Sequence, residues 1–213
     1  MKTGAALLAE IDSLKLEPGA LAFWWWGQMS FVVKAGGKVL YFDPYLADRP
    51  SRTVPPLADA TAITHADWVF GSHDHSDHID PVAIKGIAAA SPQARFVCSR
   101  VASKHVRALG VPDARIVALD DGVTYPGDGI RISAIAAEHE FFDRDPELGY
   151  PHLCFIVEID GRTILHLGDT LRYDGMIAKL KQWRFDVMFV PINGRDAERF
   201  ARRCLGNMTY QEA

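Results

Sequence analysis

The greatest density of chemistry in this sequence is Ser72-His73-Asp74-His75-Ser76-Asp77-His78, with three imidazoles and two carboxylates in the six positions from His73 to His78. So many titratable groups in one short segment are costly unless a ligand pairs them. The apolar Trp68-Val69-Phe70 before it reads as a strand, and Ile79-Asp80-Pro81 after it opens a helix, so the segment is a loop leaving a strand. Residues spaced by two in such a loop can turn toward one centre, so His73 and His75 can ligate one cation while Asp77 and His78 reach a second. Imidazole nitrogen with carboxylate oxygen suits Zn, Mn or Fe, and the lack of thiolates argues against a closed structural zinc site. An open, catalytic type of site is the remaining option. A polar surface loop with exposed histidines is the competing reading, and it accounts poorly for so dense a pattern between a strand and a helix.

Two more polar residues stand at strand ends, where loops build sites: His139 after Ile135-Ala136-Ala137-Glu138, and Asp169 after His166-Leu167-Gly168. Alone, His139 could be an exposed turn residue and Asp169 a helix N-cap. Together with the histidine loop they complete a binuclear centre. His166, three residues before Asp169, is a candidate catalytic residue, either as proton donor or as a partner behind a ligand. Its alternation with Leu165 and Leu167 also suits a core position. Asp43 is a similar supporting candidate, with a strand-end turn as its plain alternative.

These residues need a scaffold that brings distant strand ends to one edge. Leu7, Leu8, Ile11, Leu14 and Leu16 recur at roughly helical spacing before Pro18-Gly19, predicting an amphipathic helix within residues 1–20 that packs on the body. Strands are predicted at 22–26, 31–34 and 38–42, with Gly36-Gly37 turning the last two. A proline-containing loop follows at 47–60. Strands at 68–70, 95–98 and 115–118 then alternate with helices at 81–90 and 99–109. A second set of strands at 130–136, 153–159 and 163–167, with Asp160-Gly161 as a hairpin turn, precedes a helix near 173–182, a strand at 187–190 and a helix near 197–205. On a strand, Trp24 and Trp26 face one way and Trp25 the other, so at least one face of this run is ordinary core. The run could also wall a substrate or mediate self-association, which leaves a homo-oligomer open.

The 213 residues are 48% hydrophobic, enough for one well-buried core and a single domain over 1–213. A net charge of -4 with scattered Lys and Arg, short pairs such as Arg202-Arg203 aside, excludes a footprint for polymeric nucleic acid, though a local phosphate pocket stays open. Cys98, Cys154 and Cys204 are widely spaced and form no CxxC pair, as in reduced thiols of a cytoplasmic protein. No apolar run approaches a membrane span, and Glu10 and Asp12 interrupt the first twenty residues.

With these pieces the sequence resembles the metallo-β-lactamase superfamily, and within it the branch of L-ascorbate-6-phosphate lactonases and related metal-dependent hydrolases. The supporting segments are Trp24-Trp25-Trp26-Gly27, Tyr41-Phe42-Asp43-Pro44, the loop from His73 to His78, His139, Leu167-Gly168-Asp169-Thr170, Pro191-Ile192-Asn193-Gly194 and Asn207-Met208-Thr209. Of these, the histidine loop is the specific one. The resemblance implies an α/β fold, a four-layer αβ/βα sandwich, with two divalent metal ions, Zn or Mn. It implies that His73, His75 and His139 hold the first ion, that Asp77 and His78 hold the second, and that Asp169 bridges them. Related proteins often carry His where this chain has Gln28, and they supply one more His from a later loop. The expectation is therefore that the C-terminal strand and helix of the fold lie beyond Ala213, with Met208 to Ala213 as a capped helix start.

A hydroxide formed between two cations, with Asp77 handling its proton and His166 as a further candidate, would hydrolyse a lactone or ester of a small substrate, with a phosphorylated one as an option. Asn193 and Arg195 are candidates to receive a phosphate, Arg195 being equally readable as a solvated helix residue. The alternatives are a phosphodiesterase acting on RNA, DNA or a cyclic nucleotide, and a metal-binding module without turnover.

Overall fold

The computed structural model describes residues 2–202 and 204–213, so Met1 and Arg203 lie outside the described residues. One six-stranded sheet runs in the order β1 (Leu21–Trp25), β2 (Phe31–Ala35), β3 (Lys38–Phe42), β4 (Trp68–Phe70), β5 (Arg95–Ser99), β6 (Ile116–Leu119). Its first three strands are an antiparallel meander and the last four, from β3 onward, are parallel. The second sheet has five strands in the order β11 (Val187–Phe189), β10 (Arg162–His166), β9 (Leu153–Ile159), β8 (Ile130–Ala136), β7 (Thr124–Gly127), antiparallel except for β10 with β11.

Three apolar layers hold these sheets in place. Val33, Leu40, Phe42, Trp68, Phe70 and Val97 of the first sheet meet Ile132, Ala134, Phe155, Val157 and Ile164 of the second. The other face of the first sheet, carrying Val32, Tyr41, Val69 and Phe96, is covered by helices α1 (Gly4–Ser13), α2 (Pro81–Ala90) and α3 (Arg100–Ala108) through Leu7, Ile11, Ile84, Ile87 and Val106. The outer face of the second sheet packs Ile135, Ile156 and Leu165 against Met176 and Leu180 of the short helix α4 (Met176–Leu180). The expected αβ/βα order of layers follows from strands apolar on both faces.

Local signals explain most of the boundaries. Asp80 caps α2 by accepting from the Val82 and Ala83 amides, and Pro81 fills the first helical turn, where no amide is needed. The tryptophan alternation holds: Trp26 is buried, Trp24 packs on the helical layer, and Trp25 is exposed.

Several expected elements differ. Strand β7 falls outside the predicted strands; as the edge of its sheet it leaves one side unpaired, where the missing amide of Pro126 costs no ladder bond. Leu14 and Leu16 lie beyond the end of α1 at Ser13. The helix expected at 173–182 is only α4, since Gly175 with φ of 88° precedes it. The one expected at 197–205 is α5 (Ala197–Ala201); Arg203 falls outside the described residues, and 204 and 205 are not helical. Among the described residues no helix is long and apolar enough to cross a membrane.

Cys98 and Cys154 are buried, and burial pushes both thiols upward, Cys98 to about 12, whereas Cys204 is exposed. A thiol reagent applied to the native protein is therefore expected to modify one cysteine rapidly and the other two only on unfolding, with Cys204→Ser abolishing the fast phase. Rapid modification of all three would contradict this packing.

Candidate metal centre

Four strand ends open on one edge of the sandwich: β3 into Asp43, β4 into His73, β8 into His139 and β10 into Asp169. The Leu153 amide donates to the Ser72 carbonyl at 3.0 Å, joining the two sheets at this edge. Glu138 is tied to the Asp169 loop from both sides, its amide donating to Thr170 Oγ1 at 3.1 Å and its carbonyl accepting from the Leu171 amide at 2.7 Å. Gly168, with φ of 58°, lets the chain turn into Asp169 where a Cβ would stand 2.6 Å from Ser72 Cβ.

The structure brings the sequence candidates together. One ligand atom each from His73, His75 and His139 forms a close-set group, all within 4.8 Å of one another, and His73, His78 and Asp169 form another. Asp169 Oδ2 lies 3.5 Å from His78 Nε2 and 4.0 Å from His139 Nε2, between the two groups. Asp77 Oδ2 is 3.8 Å from His78 Nε2 on the more open side, where Gln28 Nε2 stands 3.5 Å away. Asp74 instead points outward and pairs with His105 of α3.

Asp43 is fully buried with φ of 42°. It accepts from the Ser72 amide, the Ser72 hydroxyl and His78 Nδ1, each at 2.7 Å. Because Nδ1 of His78 is used in this way, Nε2 is the nitrogen turned toward Asp77 and Asp169. His166 is fully buried 3.8 Å behind Asp43, with Nε2 on the Met29 carbonyl at 2.9 Å. Its ring stacks on that of Phe42, with centroids 5.1 Å apart.

Electrostatics divide the cluster. Burial, then the neighbouring imidazoles, push His73 well below its ordinary value, and burial also lowers His139. Burial would lower His78 too, but Asp169 and Asp43 outweigh it and hold His78 well above. Burial would raise Asp169, yet the His78 charge, with hydrogen bonds from His78 and Asn207, keeps it far below the usual carboxylate range. Neutral imidazoles with available lone pairs are the metal-binding form.

Three features fit a bound ion. The buried Nδ1 of His139 has no hydrogen-bond partner. The ring nitrogens His73 Nε2 and His75 Nδ1 face each other at 2.8 Å. Separations of 3.5 to 4.0 Å among His78, Asp77, Asp169 and His139 are close to the edge of about 3.3 Å set by metal bonds near 2.0–2.1 Å at tetrahedral angles.

Two residues escaped sequence reading. His152, just before β9, has its ring 5.1 Å from that of His73 and 5.5 Å from His139, with a buried, unpartnered Nδ1 and a value lowered to about 4 by burial and its imidazole neighbours. A lone His before a strand carries no spacing signal. Asn207, 2% exposed, stands in the sequence only as part of a loop, yet it is among the groups that hold the Asp169 carboxyl low.

If the cluster holds metal, a chelator should destabilise the protein. A ligand at about 100 times its Kd contributes about 2.7 kcal/mol, which for a chain of this size corresponds to a Tm shift on the order of 5–10 °C. Thermal unfolding with and without EDTA, followed by added Zn²⁺ or Mn²⁺, checks this; identical curves would contradict it.

Residues 38–213 match the family model of the β-lactamase superfamily domain. The chain is 29% identical over 181 residues to a metal-dependent hydrolase of Myxococcus xanthus, covering 80% of this chain and 60% of that protein. It is 30% identical over 167 residues to a metal-dependent hydrolase of Methanospirillum hungatei, covering 77% and 67%. Among solved structures, a metallo hydrolase from Ignicoccus hospitalis superposes with a TM-score of 0.63 at 20% identity, over 83% of this chain and 72% of that one, a likeness of fold. On the match across residues 38–213, this chain belongs to the β-lactamase superfamily domain family.

Proposed function

We propose that this chain is the metal-holding core of a hydrolase acting on a lactone or ester of a small molecule. The observation that carries the reading is the place of Asp169 Oδ2 between His139 and His78, which suits a carboxylate shared by two ions. His73, His75 and His139 would hold one divalent ion, Zn or Mn, and Asp77 and His78 the other. The relatives named as metal-dependent hydrolases support hydrolysis. The lactone substrate rests on the sequence resemblance. Arg195 is engaged in a two-armed pair with Glu212 at 2.6 and 2.7 Å, so it is a poor receiver for a substrate phosphate, and the reading is centred on the carbonyl.

Divalent ions supply Lewis acidity toward a carbonyl oxygen and ease the ionisation of water. Asp77, half-buried on the open side, takes the proton of the attacking water at its carboxylate and passes it toward the leaving oxygen. Gln28 donates to that carboxylate and orients it. Asp43 fixes the ring of His78, and the two apolar layers flanking the first sheet keep these strand ends rigid.

A panel of lactone, ester and phosphodiester substrates, assayed with added Mn²⁺ or Zn²⁺, tests the reading. Asp77→Asn is expected to lower kcat about 100-fold or more while KM moves only a few-fold, since it removes a proton acceptor and little ground-state binding. An Asp77→Asn protein with unchanged kcat on a substrate the parent turns over would remove the proposed role.

A further inference from the structure

His152 is an imidazole at the metal edge that the two-ion arrangement does not use, and its place is built from the backbone outward. It stands directly before β9. Its carbonyl accepts from the Ala137 amide at 3.0 Å, and the next amide, that of Leu153, donates to the Ser72 carbonyl at 3.0 Å. Ala137 leads to His139 and Ser72 to His73, so His152 is clamped between the two chains that carry these ligands. On its other side the Tyr150 amide donates to Asp120 Oδ1 at 2.9 Å, and Pro151 fixes its own φ.

The ring centre of His152 lies 5.1 Å from that of His73, 5.5 Å from His139 and 6.1 Å from His75. The rings of His73, His75 and His139 are themselves 4.4, 5.0 and 5.1 Å apart. An imidazole bound through nitrogen at about 2.0–2.1 Å puts its ring centre about 3.2 Å from the ion. Rings sharing one ion at angles from a right angle to a straight line then stand about 4.5–6.4 Å apart. The six spacings, from 4.4 to 6.1 Å, follow that range. His78 behaves differently: among the described residues its ring is close to that of His73 alone, at 4.1 Å, and its Nδ1 is taken by Asp43.

His139 and His152 each bury an Nδ1 that has no hydrogen-bond partner. A buried polar nitrogen left unpaired is costly, and one shared ion would satisfy both. His152 stands outside the close-set trio of ligand atoms, so binding needs a turn of its ring about the Cβ–Cγ bond, a soft rotation for an imidazole. We infer that His152 is a fourth imidazole ligand of the first ion, the one assigned to His73, His75 and His139. With Asp169 that ion would have five ligands, a number zinc accepts. Four imidazoles also turn this position toward zinc and away from manganese, which is better suited by oxygen donors. The inference rests on the two-ion reading given under Proposed function.

NMR of the histidine ring nitrogens, in metal-free chain carrying nitrogen-15 histidine and given one equivalent of Zn²⁺, tests it, because a zinc-bound nitrogen is distinguished from a free or protonated one. The expected result is four zinc-bound imidazoles, one of them lost in His152→Phe, which keeps a ring but has no lone pair to give. His152→Phe should also bind the first Zn²⁺ at least about 10-fold more weakly in a calorimetric titration, since losing even a partner that orients a ligand costs that much. Metal-free parent and variant should unfold at similar temperatures, because no hydrogen bond of the His152 ring is removed. Three zinc-bound imidazoles in the parent, or equal first-ion affinity in His152→Phe, would overturn the fourth ligand and leave the two-ion reading standing. Zinc bound to none of these histidines would overturn both.

Discussion

The buried carboxylate of Asp43 is the contact on which the candidate centre depends. A fully buried, unpaired carboxylate would be prohibitively costly, and here three donors converge on it: the amide and hydroxyl of Ser72 and the ring of His78. That convergence fixes the point at which the chain leaves β4, and so the start of the histidine loop. It also selects which nitrogen of His78 faces the opening. His166 and the Met29 carbonyl stand behind it as a further polar layer inside an apolar core. One side chain from the end of β3 thus decides the orientation of ligands on a different loop.

Around this anchor the cluster divides into two kinds of surroundings. On one side imidazoles crowd one another, and His73, His139 and His152 are pressed toward the neutral form. On the side of His78, Asp43 and Asp169, carboxylates stabilise positive charge. A three-imidazole position and a carboxylate-rich position next to each other would receive two cations unequally, and Asp169 faces both.

Much of this was legible because the informative residues are local. The loop from His73 to His78 announces itself by density, and Gly36-Gly37 and Asp160-Gly161 mark hairpins through the positive φ such turns require. The alternation of Trp24, Trp25 and Trp26 separated core from surface. What stayed hidden depends on distance along the chain. Arg195 and Glu212 are seventeen residues apart and read singly as solvated charges. His152 has no ligand neighbour in sequence and enters the cluster only because β9 begins at the same edge where β8 ends. Strand β7 was concealed by Pro126, a residue whose place on an edge is evident only once the strand order is known.

The central claim is that this edge holds two ions with Asp169 between them. Anomalous diffraction from crystals of the metal-loaded protein measures it most directly. The account predicts two peaks separated by about 3.5–4 Å, the spacing of two-metal hydrolytic sites, with the stronger peak beside His73, His75 and His139 and Asp169 Oδ2 in contact with both. A single peak, or metal bound away from these side chains, would contradict it.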